Sequence, residues 1–361
     1  MKWAKAKVGP GPACWSLVGK GVQQERSAVS VRHVGLDIGY GFVKVTDMEY
    51  GYAFPSVIGI GQNRSTYRIP TELERINDLK VILDDQFYFV GKAALRHSRF
   101  AARDLSALRH QNQYLKVLFL AGLSFYCQGE KNEFRVVTGL PTGSLHWAAD
   151  LTAQLIQEFS FSICRHRLCQ DTIINIRDLE VVPQPMGTYW AQILNVQGQE
   201  KQSVDRRVGI IDIGFRTTDL AAIEEGEFIP QNSFTIPVGM ADSYSEIAQE
   251  IGAKYGLNRE SYALDENVIQ GTITVAGKPV DITHLRDRAF THLANKLLLE
   301  LNSNWQVADF DRLFFSGGGS LALGEPYLLP HFPQAELVSN PSTANSRGYL
   351  SWANRLWGNF S

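Results

Sequence analysis

The chain has 361 residues, enough for two domains of average size, and its 44% hydrophobic and 20% charged content excludes a largely disordered polypeptide. Lys+Arg 35 against Asp+Glu 37 leaves a net charge of −2, so the basic excess that drives sequence-independent binding to nucleic acid is missing, and no direct nucleic-acid contact is expected. No apolar run is long enough to span a bilayer, four cysteines are too few for a disulfide scaffold, and Gly9, Pro10, Gly11 and Pro12 interrupt the place where a secretory signal needs its apolar core; no membrane partner is expected, and a reducing cytoplasm is the expected location.

Residues 1–32 show neither a helical nor a strand period and read as a flexible extension. The rival reading is a short docking peptide built on Trp3 and Trp15. Order begins at Val34. Val34 to Val45 reads as strand, Gly turn, strand, and Val57 to Ile60 and Val81 to Val90 continue the β pattern. Leu105 to Tyr126 has helical spacing, with Leu105, Leu108, Leu115, Leu118 and Phe119 on one face. Phe134 to Gly139 reads as a buried strand, Leu145 to Phe159 as a helix, and Ile173 to Val182 as a strand.

After a polar stretch, Gln197 to Arg207, the opening pattern recurs. Val208 to Leu220 again runs from an apolar strand through Asp-Ile-Gly-aromatic into a second apolar strand. A recurrence at such a long interval fits a duplicated domain. The second half continues with helix Asp242 to Tyr255, a hairpin-like stretch Val268 to Ile282, helix Thr283 to Leu301, strand Arg312 to Ser316, and a closing helix Arg347 to Trp357.

Three Gly-rich turns follow apolar strands: Asp37-Ile-Gly39-Tyr40-Gly41, Asp212-Ile-Gly214-Phe215-Arg216-Thr217, and Ser316-Gly317-Gly318-Gly319. Glycine lets backbone N–H groups close around an anion, Thr217 adds a hydroxyl, and Lys44 adds a point charge suited to phosphate. Asp37 and Asp212 give each half one carboxylate. Facing each other, the two would form a site for hydrated Mg²⁺, which keeps several waters, so they can act through water instead of as direct ligands.

In this order, the motifs resemble the actin-like ATPase superfamily, which includes actin, DnaK-type chaperones and sugar kinases. Asp37-x-Gly39-x-Gly41-x-x-Lys44 resembles its first phosphate loop. Val136 to Gly143 resembles the first connecting segment, and Asp212 to Asp219 the second phosphate loop. Phe315 to Gly319 resembles the adenosine loop, and Asn345-Ser-Arg-Gly-Tyr349 the second connecting segment. Within the superfamily the chain is most similar to the ParM-like plasmid-segregation and archaeal-type actins, being too compact for a chaperone's peptide-binding domain and short for a sugar kinase.

The resemblance implies an α/β, ribonuclease H-like duplicated fold, with mixed sheets flanked by helices and a nucleotide cleft between two lobes. Lobe I would comprise 33–190 with a C-terminal return 335–361, and lobe II 191–334. It also implies ATP (or GTP) and Mg²⁺ held by Asp37, Gly39, Tyr40, Gly41, Lys44, Gly214, Phe215, Arg216, Thr217 and Gly317 to Gly319, with Asp37 and Asp212 serving the metal. Gln184, in Val181-Val-Pro-Gln184-Pro-Met186, falls where such actins carry a catalytic Glu or Gln. With Asp212 it would position the lytic water; glutamine is no strong base but can orient water toward a γ-phosphate. The implied activity is ATP hydrolysis coupled to self-assembly into filaments for plasmid or DNA segregation, with a DNA-binding adaptor as further partner.

Phe215 and Arg216 depart from the smaller residues of many members, and Arg216 either contacts phosphate or points outward. Two other readings remain: a small-molecule kinase, for which Gln184 is a poor base, and a nucleotide-gated adaptor that hardly turns ATP over. Cys164-Arg-His166-Arg-Leu-Cys169 reads as a basic helix end with two half-buried thiols, not a zinc site. Arg96 to Arg109 reads as a solvated helix face, and His97 and His110 as surface histidines.

Overall fold

The computed structural model describes residues 30–62, 77–106, 108–165, 168–201 and 205–358. The expected extension, Trp3 and Trp15 included, lies outside the described residues up to Val29, and His166 lies outside them as well; Arg32 already belongs to the first strand.

The strands of the first half are β1 (Arg32–Ile38), β2 (Phe42–Thr46), β3 (Gly51–Pro55), β4 (Ile58–Ile60), β5 (Leu79–Leu83), β6 (Gln86–Val90), β7 (Ala101–Ala102), β8 (Lys131–Leu140), β9 (Glu158–Arg165) and β10 (Leu168–Pro183). They form one sheet in the order β3-β2-β1-β8-β10-β9-β5-β6-β4-β7. The second half contributes β11 (Arg207–Ile213), β12 (Thr218–Glu224), β13 (Glu227–Ile236), β16 (Arg312–Ser316) and β17 (Ala335–Leu337), in the order β13-β12-β11-β16-β17; a separate hairpin joins β14 (Thr272–Val275) to β15 (Lys278–Asp281).

The duplication inferred from the recurring motif is explicit in this topology. In each half an antiparallel meander of three strands is extended on its inner edge by two parallel strands: β3-β2-β1-β8-β10 in the first, β13-β12-β11-β16-β17 in the second. Near-continuous apolar runs such as Val34–Ile38 and Val208–Ile213 are what a strand covered on both faces requires. In the first half, β9 then carries the sheet outward to the tip strands β5, β6, β4 and β7.

The helices are α1 (Lys92–His97), α2 (Gln113–Leu123), α3 (Ala148–Leu155), α4 (Gln184–Ile193), α5 (Met240–Tyr255), α6 (Asp265–Gln270), α7 (Thr283–Asn304), α8 (Ser320–Leu323) and α9 (Ala344–Trp357). α4 and α9 pack together between the two sheets, with Trp190 stacked on Trp352 at 4.3 Å. Their buried faces join Val137 and Val182 to Val208, Ile210, Ala221 and Phe314 in one apolar cluster. Tyr189 and Tyr349 are fully buried there, each such burial being worth on the order of 2 kcal/mol. Among the described residues, no helix is long and apolar enough to cross a membrane.

Several sequence expectations need correction. The helix expected over Leu105 to Tyr126 begins only at Gln113. Asn112 caps it by accepting the Tyr114 N–H at 3.0 Å, so Leu105 and Leu108 precede the helix, and Leu108 is exposed. The helix expected over Leu145 to Phe159 ends at Leu155, because Phe159, Phe161 and Ile163 are buried with the period of two that belongs to β9. Cys164 and Cys169 are not thiols at a helix end. They face each other across the β9–β10 ladder as a disulfide, a cross-strand pair with only Cys164 buried. His110 is buried and stacked on Trp147 at 4.5 Å, while His97 is exposed. The Arg96–Arg109 stretch is no single helical face, since α1 ends at His97 and Arg103 is buried.

Candidate functional site

The first Gly turn joins β1 to β2. The register sets Asp37 directly opposite Lys44, and the buried Asp37 carboxylate accepts from Lys44 Nζ at 2.9 Å. Its other oxygen accepts from Gln184 Nε2 at 3.2 Å. Gln184 opens α4 after Pro183, and the Tyr349 hydroxyl of α9 donates to its backbone oxygen at 3.0 Å.

The second Gly turn joins β11 to β12, where the register sets Asp212 opposite Asp219. Both are buried. Asn345 of α9 donates to Asp212 at 2.6 Å. Asp219 accepts from Thr235 Oγ1 at 2.5 Å and from the Thr142 N–H, just beyond β8, at 2.9 Å. Thr217 Oγ1 adds a longer donation to Asp219 at 3.3 Å. Burial, then the Asp37 charge, pushes Asp212 up to about 7. Burial likewise lifts Asp219 to about 6 against the lowering effect of its hydrogen bonds. Asp37, Asp212 and Asp219 are therefore near enough to feel one another although they come from different halves.

The two turns meet. A Cβ on Gly41 would stand 3.0 Å from the Phe215 Cβ, so only glycine admits this approach without displacement. Arg216 reaches back over the Tyr40 ring at 5.4 Å; each side chain of that pair comes from a different turn.

The third turn starts at Gly317, at the end of β16. Its φ of +83° is the left-handed region, and a Cβ there would lie 2.2 Å from Asp212 Oδ1. Gly319 donates its N–H to Ile213 O at 2.9 Å, and Gly318 is exposed. Behind the junction, Thr188 of α4 donates to Ser316 or Asn345, each at 2.8 Å, tying α4, β16 and α9 together.

The structure thus brings Asp37, Lys44, Gln184 and Asp212 around one junction, with Gly39, Tyr40, Gly41, Gly214, Phe215, Arg216 and Thr217 on the two turns and Gly317 to Gly319 beside Asp212. Sequence reasoning assigned no role to Asp219, Thr142 or Asn345. Asp219 and Asn345 stood inside quoted motifs, but their partners lie 77 and 133 residues away in the chain. Among the described residues, no three acidic, His or Cys side chains are grouped as a direct metal cage. A hydrated divalent cation nonetheless fits the donor set: a mutually repelling pair of buried carboxylates, one from each half, is what such an ion neutralises while keeping its waters.

Duplicated sheets, two helices packed between them and three Gly turns at the junction define an actin-type two-lobed protein. The chain belongs to the actin-like proteins: residues 35–187 match the model of the actin-like proteins' N-terminal domain, and residues 210–327 match that of the archaeal actin homologue, MreB-like, C-terminal domain. Among solved structures it is similar to a subunit of a 15-stranded ParM filament from Clostridium botulinum, at 20% identity over 90% of this chain and 99% of that one, TM-score 0.75. It is equally similar to the archaeal actin homologue Ta0583, at 20% identity over 90% of this chain and 100% of that one, TM-score 0.75. The complex of Ta0583 with ADP gives a TM-score of 0.72. ParM from Bacillus thuringiensis with AMPPNP matches at 17% identity over 90% and 99% of the two chains, TM-score 0.67. No curated protein matches the sequence.

Proposed function

We propose that the chain is an ATPase that binds a magnesium nucleoside triphosphate, ATP or GTP, between its lobes and polymerises with itself. Lobe I would be 33–190 with a return that starts after β17 and not at 335, since β17 (Ala335–Leu337) pairs with β16 and belongs with lobe II, 191–337. The observation that carries this reading is the contact of Gly41 with Phe215, which joins two duplicated anion-type turns while Asp37, Lys44, Gln184 and Asp212 surround the junction.

The N–H groups of Gly39 to Gly41 and Phe215 to Thr217 bind phosphate oxygens, with Lys44 as point charge, while the Gly214 N–H closes the second turn on Thr217 O at 2.9 Å. Gly317 to Gly319 bound the nucleoside side. Asp37 and Asp212 hold the hydrated ion, which when bound neutralises phosphate charge. Gln184 donates to Asp37, which fixes its amide and leaves Oε1 free to accept from a water. With Asp212 it orients the lytic water, a role that suits slow, timed hydrolysis. Closing the lobes aligns surfaces for head-to-tail contacts, which propagate as open filaments when the rotation does not close. The resemblance of the motifs to ParM-like plasmid-segregation actins favours a role in plasmid or DNA segregation, with a DNA-binding adaptor as further partner.

Sedimentation with Mg²⁺ and ATP or GTP, with phosphate release measured in parallel, tests the reading. Nucleotide-dependent pelleting is expected. Its absence across a wide range of protein concentration removes the filament assignment, and turnover that requires a small acceptor molecule points to a kinase.

A further inference from the structure

The Phe215 ring, bulky for a phosphate-type turn, lies between two aromatic and cationic partners. The Arg103 guanidinium sits 4.4 Å from its centroid, and Tyr244 of α5 meets it edge-on at 5.6 Å. Arg103 directly follows β7, the edge strand at the tip of the first sheet. Its side chain is 1% exposed, and Nη2 donates to Asp265, the first residue of α6 in the second half, at 3.2 Å. Earlier in the chain, Lys92 at the start of α1 reaches Glu266 at 2.8 Å, but both of these side chains are open to solvent. The tip of the first half is therefore fastened to the second at a point where the fastening residue also stacks on the second turn, and that turn abuts Gly41 of the first.

We propose that Arg103 is a positioning residue, a latch that couples contact of the first lobe's tip with α6 to the packing of the two turns, and so governs how long a bound nucleotide stays. This rests on the reading of the junction as a nucleotide cleft. The buried charge of Arg103 is compensated by Asp265 and by the π face of Phe215, and both compensations are lost together when the tip swings away. Opening therefore requires hydrating a guanidinium and a carboxylate and unstacking an aromatic ring in one step, which makes the closed state long-lived. Lysine cannot substitute, because a point charge does not stack flat on a ring while presenting a fork to a carboxylate. The Lys92–Glu266 pair lies in solvent and contributes little.

The test compares Arg103→Lys, Asp265→Asn and Glu266→Gln with the natural chain. Release of a fluorescent ADP analogue is followed by stopped flow, and the radius of gyration of nucleotide-free protein by small-angle scattering, with a thermal melt to establish that each variant is folded. Arg103→Lys and Asp265→Asn are expected to release the analogue about tenfold faster or more and to show a larger radius of gyration; Glu266→Gln stays within about twofold of the natural chain. Asp265→Asn keeps the test decisive where Arg103→Lys does not fold. Folded latch variants with unchanged release and unchanged radius overturn the proposal. If the natural chain binds no nucleotide, the cleft assignment fails by itself, and the scattering comparison still decides whether Arg103 holds the lobes together.

Discussion

Asp219 stands opposite Asp212 at the register position that Lys44 holds opposite Asp37 in the duplicated hairpin. The two halves thus use one backbone pattern with opposite electrostatics. The first turn neutralises its own carboxylate through Lys44, whereas the second buries two carboxylates that face each other and relies on Asn345, Thr235 and the Thr142 N–H for compensation. The charge left for a cation to neutralise therefore lies mainly in the second half, with Asp37 adding to it from the first.

That asymmetry sets the pH dependence of the nucleotide-free protein. Asp212 and Asp219 titrate near 7 and 6, above the ordinary carboxylate value of 3.8. The folded state therefore holds more protons than the unfolded state through this interval. The contribution to stability is fully present below the unfolded value and declines as pH rises through 6 and 7, at no more than about 1.4 kcal/mol per pH unit for each group. Melting temperature without nucleotide should fall between pH 5 and pH 8, the fall should flatten in Asp212→Asn, and magnesium nucleotide should restore stability most at pH 8. Calorimetric scans across this range check it, and a flat natural profile refutes it.

Gln184→Ala removes the amide that bonds Asp37 while leaving the turns and Lys44 in place. Phosphate release is expected to slow about 10- to 100-fold, equivalent to roughly 1.4–2.7 kcal/mol in barrier height, with nucleotide affinity changed less than about threefold. Single-turnover assays beside equilibrium titration separate the two quantities. An unaltered rate would assign the chain to adaptors that bind without turnover.

Much of this site can be read from sequence because its elements are local. An aspartate ending an apolar strand before Gly-x-Gly fixes a strand–turn–strand, and repetition of that unit announces the duplication. What was illegible depends on register and on contacts distant in the chain. Asp219 is one more polar residue in a strand until β12 is aligned with β11. Arg103 looks like part of a basic surface until β7 is placed at the sheet edge beside α6. The helix over Leu105 to Tyr126 failed for a different reason: apolar spacing alone does not reveal that the Asn112 cap starts a new element.

The third turn offers a paired test within one tripeptide. Gly317 combines φ +83° with a Cβ site 2.2 Å from Asp212 Oδ1 and 2.4 Å from the Ile213 backbone oxygen, whereas nothing lies within 4 Å of a Cβ on Gly318. Gly317→Ala must strain the backbone and displace Asp212, so it is expected to cost about 2 kcal/mol or more and to weaken nucleotide binding. Gly318→Ala should stay within about 0.5 kcal/mol. Denaturant titration of both variants measures the contrast, and equal behaviour would remove the steric role assigned to Gly317.

The Cys164–Cys169 disulfide closes a short loop, with a sequence separation of 5, at the seam where β9 passes the central sheet on to the tip strands. Cys164 is the register partner of Lys80 in β5, so the cross-link stiffens the pairing on which the tip hangs. Closure of so short a loop is worth about 2 kcal/mol in the chain-entropy account, or about 3 °C in melting temperature for a protein of this size. Among the described residues the bridge leaves Cys127 as a thiol, so titration of the denatured protein should find two more groups after reduction than before. Melting with and without reductant should show the loss, and Cys169→Ser should reproduce it in a background that no longer responds to reductant. Four thiols in the unreduced protein would show that the two cysteines pair across the ladder without a bond, and the stiffening of the tip would then rest on backbone hydrogen bonds alone.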